Sequence, residues 1–184
     1  MQPLRNSDDQ VMIWMPWAQQ PHTYALRAGD AVLATLHWPR HGAGLVAARS
    51  AEGRWVFQQG HAPHAQVNIW PADSYAGTGI FEPGWGGGIV RLANGPTFRW
   101  GRTRALDRAE WVDEGPLLRF RRDASASPTI GYVTVEPAAR DLPQLALLAL
   151  LGWFLLHPQP AELVAAPLGR RPTTESLRPV QPGA

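Results

Sequence analysis

The stretch Leu142–His157, LPQLALLALLGWFLLH, decides how the whole chain is read. From Leu145 to Leu156 it carries no polar side chain. Wound as a helix those residues reach about 18 Å, whereas crossing a bilayer core takes about 20 residues and 30 Å, so the run is short for a membrane span. Its start is built like a helix end in water. Asp141 can cap, Pro143 suits a first turn, and Gln144 stands three residues after the cap, at capping-box spacing. His157 and Pro158 stop it. Apolar residues cover every face instead of one stripe, which in a water-soluble protein means a helix surrounded on all sides. Ala146, Ala149 and Gly152 form a stripe of small residues along which such a helix can approach one wall closely.

The rest of the chain supplies the enclosure. From Val11 to Glu136 the apolar runs are short, rich in Val, Ile, Trp, Phe and Thr, and separated by Gly, Pro, Asn or Asp. Twelve candidate strands follow one another: VMIWMPW, TYALRA, AVLATLHW, LVAARSA, RWVFQQ, AQVNIW, YAGTGIF, GGIVRLA, TFRWGRT, AEWVD, LLRFRR and TIGYVTVE. Turns at Gly29–Asp30, Gly53, Asn94–Gly95 and Gly115 make antiparallel neighbours of the strands around them. The fold class expected is mainly β: a closed antiparallel barrel of about twelve strands around a C-terminal hydrophobic α-helix at 142–156, wide enough to hold it where an eight-stranded barrel fills with side chains. The alternative is a β-sandwich with the helix as a C-terminal membrane tail. Residues 10–157 form the barrel domain in this reading. Residues 1–9 and the tail 158–184, with six prolines and no apolar periodicity, are expected to be disordered. VAARSAEGRWVF and GIVRLANGPTFRW share an Arg, a turn Gly four residues on and an aromatic pair, so one hairpin is a candidate repeat.

Twelve strands closed by an apolar helix resemble the tubby-like barrel, and within it the bacterial relatives of the LURP-one and phospholipid-scramblase-like group. The resemblance is carried by YALRAGDAVLATLHWP, GRWVFQQ, FEPGWGGG, LANGPTFRW, EWVDEGPLLRFR and LPQLALLALLGWFLL, and covers Val11 to His157. It implies a fold more than a function. Proteins of that group are often tied to membranes or lipid headgroups. The calcium-binding acidic segment and cysteine cluster of scramblases have no counterpart here, so scramblase activity is not implied.

Composition excludes several chemistries. The chain has no cysteine, which removes disulfides, thiolate metal sites and thiol nucleophiles. All 17 basic residues are arginine, so Schiff-base chemistry and a lysine-dependent phosphate loop are absent as well. A net charge of +2 does not point to nucleic acid. Two aspartates precede the first apolar run where a signal peptide has a basic region, so the protein is read as not exported: cytoplasmic, and peripheral to a membrane if it meets one.

No catalytic pattern stands out. His61 and His64, with His37 and His41 nearby in sequence, lack a carboxylate at ligand spacing and read as solvated loop residues, and no metal or other cofactor is expected. Gly84–Val90 has the glycine content of a phosphate loop but no helix behind it, and reads as a strand bend or bulge. Ser125 and Ser127 beside Asp123 sit in no nucleophile elbow and read as a loop. Asp107, Glu110, Asp113 and Glu114 are balanced by Arg104 and Arg108. The nine tryptophans read as core.

Arginine is what remains. Eight of them lie between Arg91 and Arg122 against four carboxylates, and strand alternation turns Arg99, Arg119 and Arg121 away from the core. With Arg102 and Arg104 they form the expected binding surface for an anionic membrane or an acidic protein partner. The function expected is a non-enzymatic binding or scaffold domain recognising anionic lipid headgroups. The alternatives are an enzyme whose site is not legible in one sequence, and a purely structural barrel whose arginines serve solubility.

Overall fold

A computed structural model describes residues 1–6, 11–39, 44–60, 65–74, 76–93, 95–103, 107–123, 125–126 and 129–157. Twelve strands run in order: β1 (Val11–Pro16), β2 (Thr23–Ala28), β3 (Ala31–His37), β4 (Leu45–Ser50), β5 (Arg54–Gln59), β6 (Val67–Pro71), β7 (Gly79–Gly84), β8 (Gly87–Leu92), β9 (Thr97–Arg102), β10 (Arg108–Val112), β11 (Pro116–Asp123) and β12 (Ile130–Val135), followed by the helix α1 (Leu145–Leu156). Each strand pairs antiparallel with its sequence neighbours, and β1 closes on β12 through pairs such as Trp14 with Gly131. The sheet is a closed up-and-down barrel with no free edge, as the sequence pattern predicts.

Alternation decides what faces the helix. In β1, Met12 and Trp14 point inward while Val11, Ile13 and Met15 face out; in β9, Phe98 and Trp100 point inward and Arg99 faces out. The helix runs through the enclosure and every residue of it except Leu155 is buried. It packs most closely on the β10–β11 wall. A Cβ on Gly152 would collide with the ring of Phe120, so the small-residue stripe does mark the side of closest approach. The Trp111 indole N–H donates to the Leu148 carbonyl at 2.8 Å, fixing helix to wall by a buried hydrogen bond. On the β12 side Gly131 leaves room for Trp153, which stacks on Trp14 with ring centres 5.8 Å apart.

Three sequence expectations need correction. Helix α1 begins at Leu145 and Gln144 occupies the cap position with no side-chain hydrogen bond, so Asp141 caps nothing. The chain instead makes a short 3₁₀ turn at Pro137–Ala139, and the backbone bonds after it, Leu142 N–H to Ala139 O and Leu145 N–H to Leu142 O, carry it into the helix. Disorder over residues 1–9 does not hold for Leu4–Asn6, which form a 3₁₀ turn; Leu4 is buried and its N–H donates to Glu52 Oε1 at 2.7 Å. Gly84–Val90 is a hairpin and not a bend: β7 runs on through Pro83 to Gly84, which pairs with Gly87 across the two-residue turn Trp85–Gly86. Gly86, at φ +72°, supplies the left-handed position such a tight reversal needs. The tail 158–184 lies outside the described residues.

Two substitutions test this packing. Gly152→Val adds volume against Phe120 and is expected to destabilise the protein by about 1–3 kcal/mol in urea unfolding. Leu151→Asp sets an unpaired carboxylate in the barrel interior and is expected to give no folded protein, since its cost is comparable with the whole net stability of about 5–15 kcal/mol.

Candidate functional site

The helix divides the barrel into two mouths. At the mouth where α1 ends, β5, β7, β9 and β11 finish and β6, β8, β10 and β12 start, so the Trp85 turn, Arg102, Arg122 and His157 all gather there.

The predicted arginines separate into two groups. Arg99, Arg119 and Arg121 face outward as expected, and Arg104 lies outside the described residues. Arg102 does not join the outer set. Phe98 and Trp100 are inward, so the second residue after Trp100 falls on the inner row, and Arg102 is half-buried with its Nε out of contact with solvent. The outer arginines are also unequal. Arg119 is shared by Glu136 at 3.1 Å and Glu110 at 3.8 Å, and Arg108 lies 3.9 Å from Asp107. Arg121 sits over the Tyr132 ring at 4.5 Å. Arg99 makes no ion pair among the described residues. With Val11 and Thr134, Arg121 and Tyr132 border a groove of about 570 Å³ along β10–β12, which Arg102 also reaches.

Beside Arg99 stands the one tryptophan that breaks the core rule. Trp85, at the tip of the β7–β8 hairpin, has a relative exposure of 107%, while every other tryptophan is buried or half-buried. It borders a shallow surface hollow with Arg99 and Gly101. Its sequence signal was its context: a tryptophan between glycines, outside any alternating run.

Inside the same mouth, polar groups meet without partners. Nε of Arg102, Nε of Arg122, Nδ1 of His157 and Nε1 of both Trp14 and Trp153 are buried and make no hydrogen bond among the described residues. Burial and the neighbouring Arg122 charge lower the pKa of Arg102. His157 caps the helix end and packs on Tyr24, Trp38 and Trp153 at 4.5, 5.1 and 5.5 Å between ring centres. Arg122 and His157 were not singled out from the sequence, although the parity of LLRFRRD, with Phe120 inward, already turns Arg122 inward too.

The other candidates are placed only in part. His41, His61, His64 and Ser127 lie outside the described residues. His37 shares a hydrogen bond with Thr23 through Nδ1 at 2.9 Å, and among the described residues no three histidines or carboxylates gather to hold a metal. The Ser125 hydroxyl donates to Asp123 at 2.6 Å in a local turn, which holds the Asp123 pKa below the usual carboxylate range. Among the described residues no helix is long and apolar enough to cross a membrane. Compared with known proteins, the chain matches no family model, no curated protein and no solved structure.

His157 makes the stability of this mouth depend on pH. Burial, with the Arg122 charge added, pushes its pKa down to about 4 from 6.5. The unfolded chain therefore takes up a proton near pH 6.5 that the folded chain refuses until about pH 4. Stability is full above that window and falls as pH drops through it, by on the order of 3 kcal/mol. Arg122 and Tyr24 are the titratable groups facing the ring. The difference in unfolding free energy between wild type and His157→Phe should change in the variant's favour between pH 7 and pH 4; an unchanged difference would show that His157 is protonated in the fold.

Proposed function

We propose that this protein is a non-enzymatic binding module that docks the helix-end mouth of its barrel on an anionic membrane surface. The observation that carries this reading is Trp85, fully exposed at a hairpin tip, with Arg99, which makes no ion pair among the described residues, bordering the same surface hollow. A lone indole in water gains from moving to the headgroup boundary, where its ring is half in an apolar medium and its N–H stays wet. Guanidinium groups beside it fork onto phosphate oxygens, each adding about 1 kcal/mol near an acidic bilayer. The outward row Val11, Ile13 and Met15 on β1 adds exposed apolar surface next to Tyr132, where Ile13 and Tyr132 are register partners. The tubby-like resemblance is supported by the closed twelve-stranded barrel around a C-terminal helix, and it points the same way.

Co-sedimentation with neutral and acidic liposomes tests the reading. Binding to acidic vesicles should fall steeply as salt passes roughly 0.15 M, where the Debye length is about 8 Å. Trp85→Ala, Arg99→Gln and Arg121→Gln should each weaken it without loss of fold. Arg119→Gln should change it little, because Glu136 and Glu110 already offset that charge. Wild-type protein left in the supernatant with acidic vesicles at low salt would sink the proposal and leave the arginines as a solubility feature.

A further inference from the structure

Next to Arg102, between the ends of β5, β7 and β9 and the starts of β6 and β8, the barrel mouth holds a cavity of about 430 Å³. Phe81, Trp100, Phe154 and Leu155 give it an apolar wall, and Gln59 and Arg102 its polar edge. Leu155 is the one residue of the helix that is not fully buried, and it faces this space. The volume lies within the range of about 300–1,000 Å³ usual for small-molecule sites, and the mouth of a barrel is a common place for one.

The charge at its edge is unbalanced. Arg102 and Arg122 both belong to the inner row, and the short side chain of Ala109, register partner of both Arg102 and Phe120, leaves space between their strands. Arg122 acts electrostatically on Arg102 and on His157, so the two cations share one neighbourhood. Neither has a carboxylate partner among the described residues, and each has a buried Nε without an acceptor. The carbonyl end of the helix offers roughly half a negative charge, against two guanidinium ions. Drawing like charges together with their Nε atoms out of water is costly unless an anion joins them.

We propose that this mouth cavity binds a single-chain amphiphile, its phosphate or carboxylate head held by Arg102, with Arg122 on the inner row behind it, and its apolar chain lying against Trp100, Phe154 and Leu155. The site adjoins the docking surface and shares Trp100 and the hairpin glycines Gly84, Gly86 and Gly87 with the hollow at Trp85, but neither Trp85, Arg99 nor Arg121 lines it, so it goes beyond the membrane reading and does not rest on it. The forked guanidinium of Arg102 matches an oxyanion with several acceptor oxygens, while Phe81, Trp100, Phe154 and Leu155 suit an apolar chain.

The test is calorimetric titration of the full chain with decyl phosphate, decanoate, decanol and inorganic phosphate, each below its micellar concentration. Decyl phosphate and decanoate should saturate one site. Decanol, which lacks the charge, and inorganic phosphate, which lacks the chain, should each bind at least about tenfold more weakly. Arg102→Gln should cost decyl phosphate about tenfold or more while leaving the melting temperature level or raised, since it relieves a like-charge pair. Trp85→Ala should leave decyl phosphate binding unchanged, which separates a failure of this site from a failure of the membrane surface. Inorganic phosphate binding as tightly as decyl phosphate would overturn the apolar half of the assignment. Decanol binding as tightly would overturn the charged half, and no binding of decyl phosphate at all would overturn both.

Discussion

A helix that is apolar on every face can persist in water only where protein surrounds it, and the architecture follows from meeting that requirement. One sheet covers one stripe of a helix; covering all of it takes a sheet closed on itself. A closed sheet of few strands has an interior already filled by its own side chains, so the strand number must rise until a helix fits. Twelve strands meet that demand, and an even number lets the last strand pair antiparallel with the first in a simple meander. The interior is then tuned residue by residue: the large rings of Trp14, Phe57 and Trp111 fill it, and Gly131 and Gly152 leave room for Trp153 and Phe120.

The two mouths use this enclosure differently. Where the helix starts, Leu4 plugs the opening, Glu52 accepts its backbone N–H, and Ala139 is buried under the 3₁₀ turn that leads in. Apolar groups and backbone bonds close that end. Where the helix finishes, two arginines, a histidine and two indole nitrogens face inward with hydrogen bonds unmade, and the only half-exposed helix residue looks into a cavity. Among the described residues the buried polar atoms without partners thus gather at one end, with Glu52 Oε2 alone at the other, and the end they favour is the one that carries Trp85.

Fold was legible in the sequence to the degree that it rests on local physics. Each of the twelve strand segments could be read from alternation and turn residues, and the buried helix from length and the absence of any polar face. What escaped depends on contacts between distant residues. Leu4 has no local signal for burial, because its partner Glu52 stands 48 residues on, in the turn between β4 and β5. Asp141 has the chemistry of a cap, but the preceding 3₁₀ turn delivers the chain one turn too late for it to reach the first helical N–H groups. The outer arginines were legible from parity, yet parity says nothing of their charge. Arg119 spends its charge on Glu110 across one ladder and on Glu136 just beyond β12, a fact that belongs to the register and not to the strand.

Arg102 shows the same limit from the other side. Counted with its neighbours by charge, it belongs to a surface patch; counted by alternation from Phe98 and Trp100, it belongs to the interior. The structure obeys alternation, because turning Arg102 outward would require a one-residue slip in β9 that also drives Trp100 into solvent. Two indole rings therefore hold a cation where electrostatics alone would not put it: Trp100 and Trp111, packed at 4.7 Å between ring centres, fix the register that turns Arg102 inward toward Arg122. Packing of the core at mid-barrel is stronger than the repulsion it imposes at the mouth. That repulsion is a local departure from the pairing of charges drawn out of water, held in place by the packing around it.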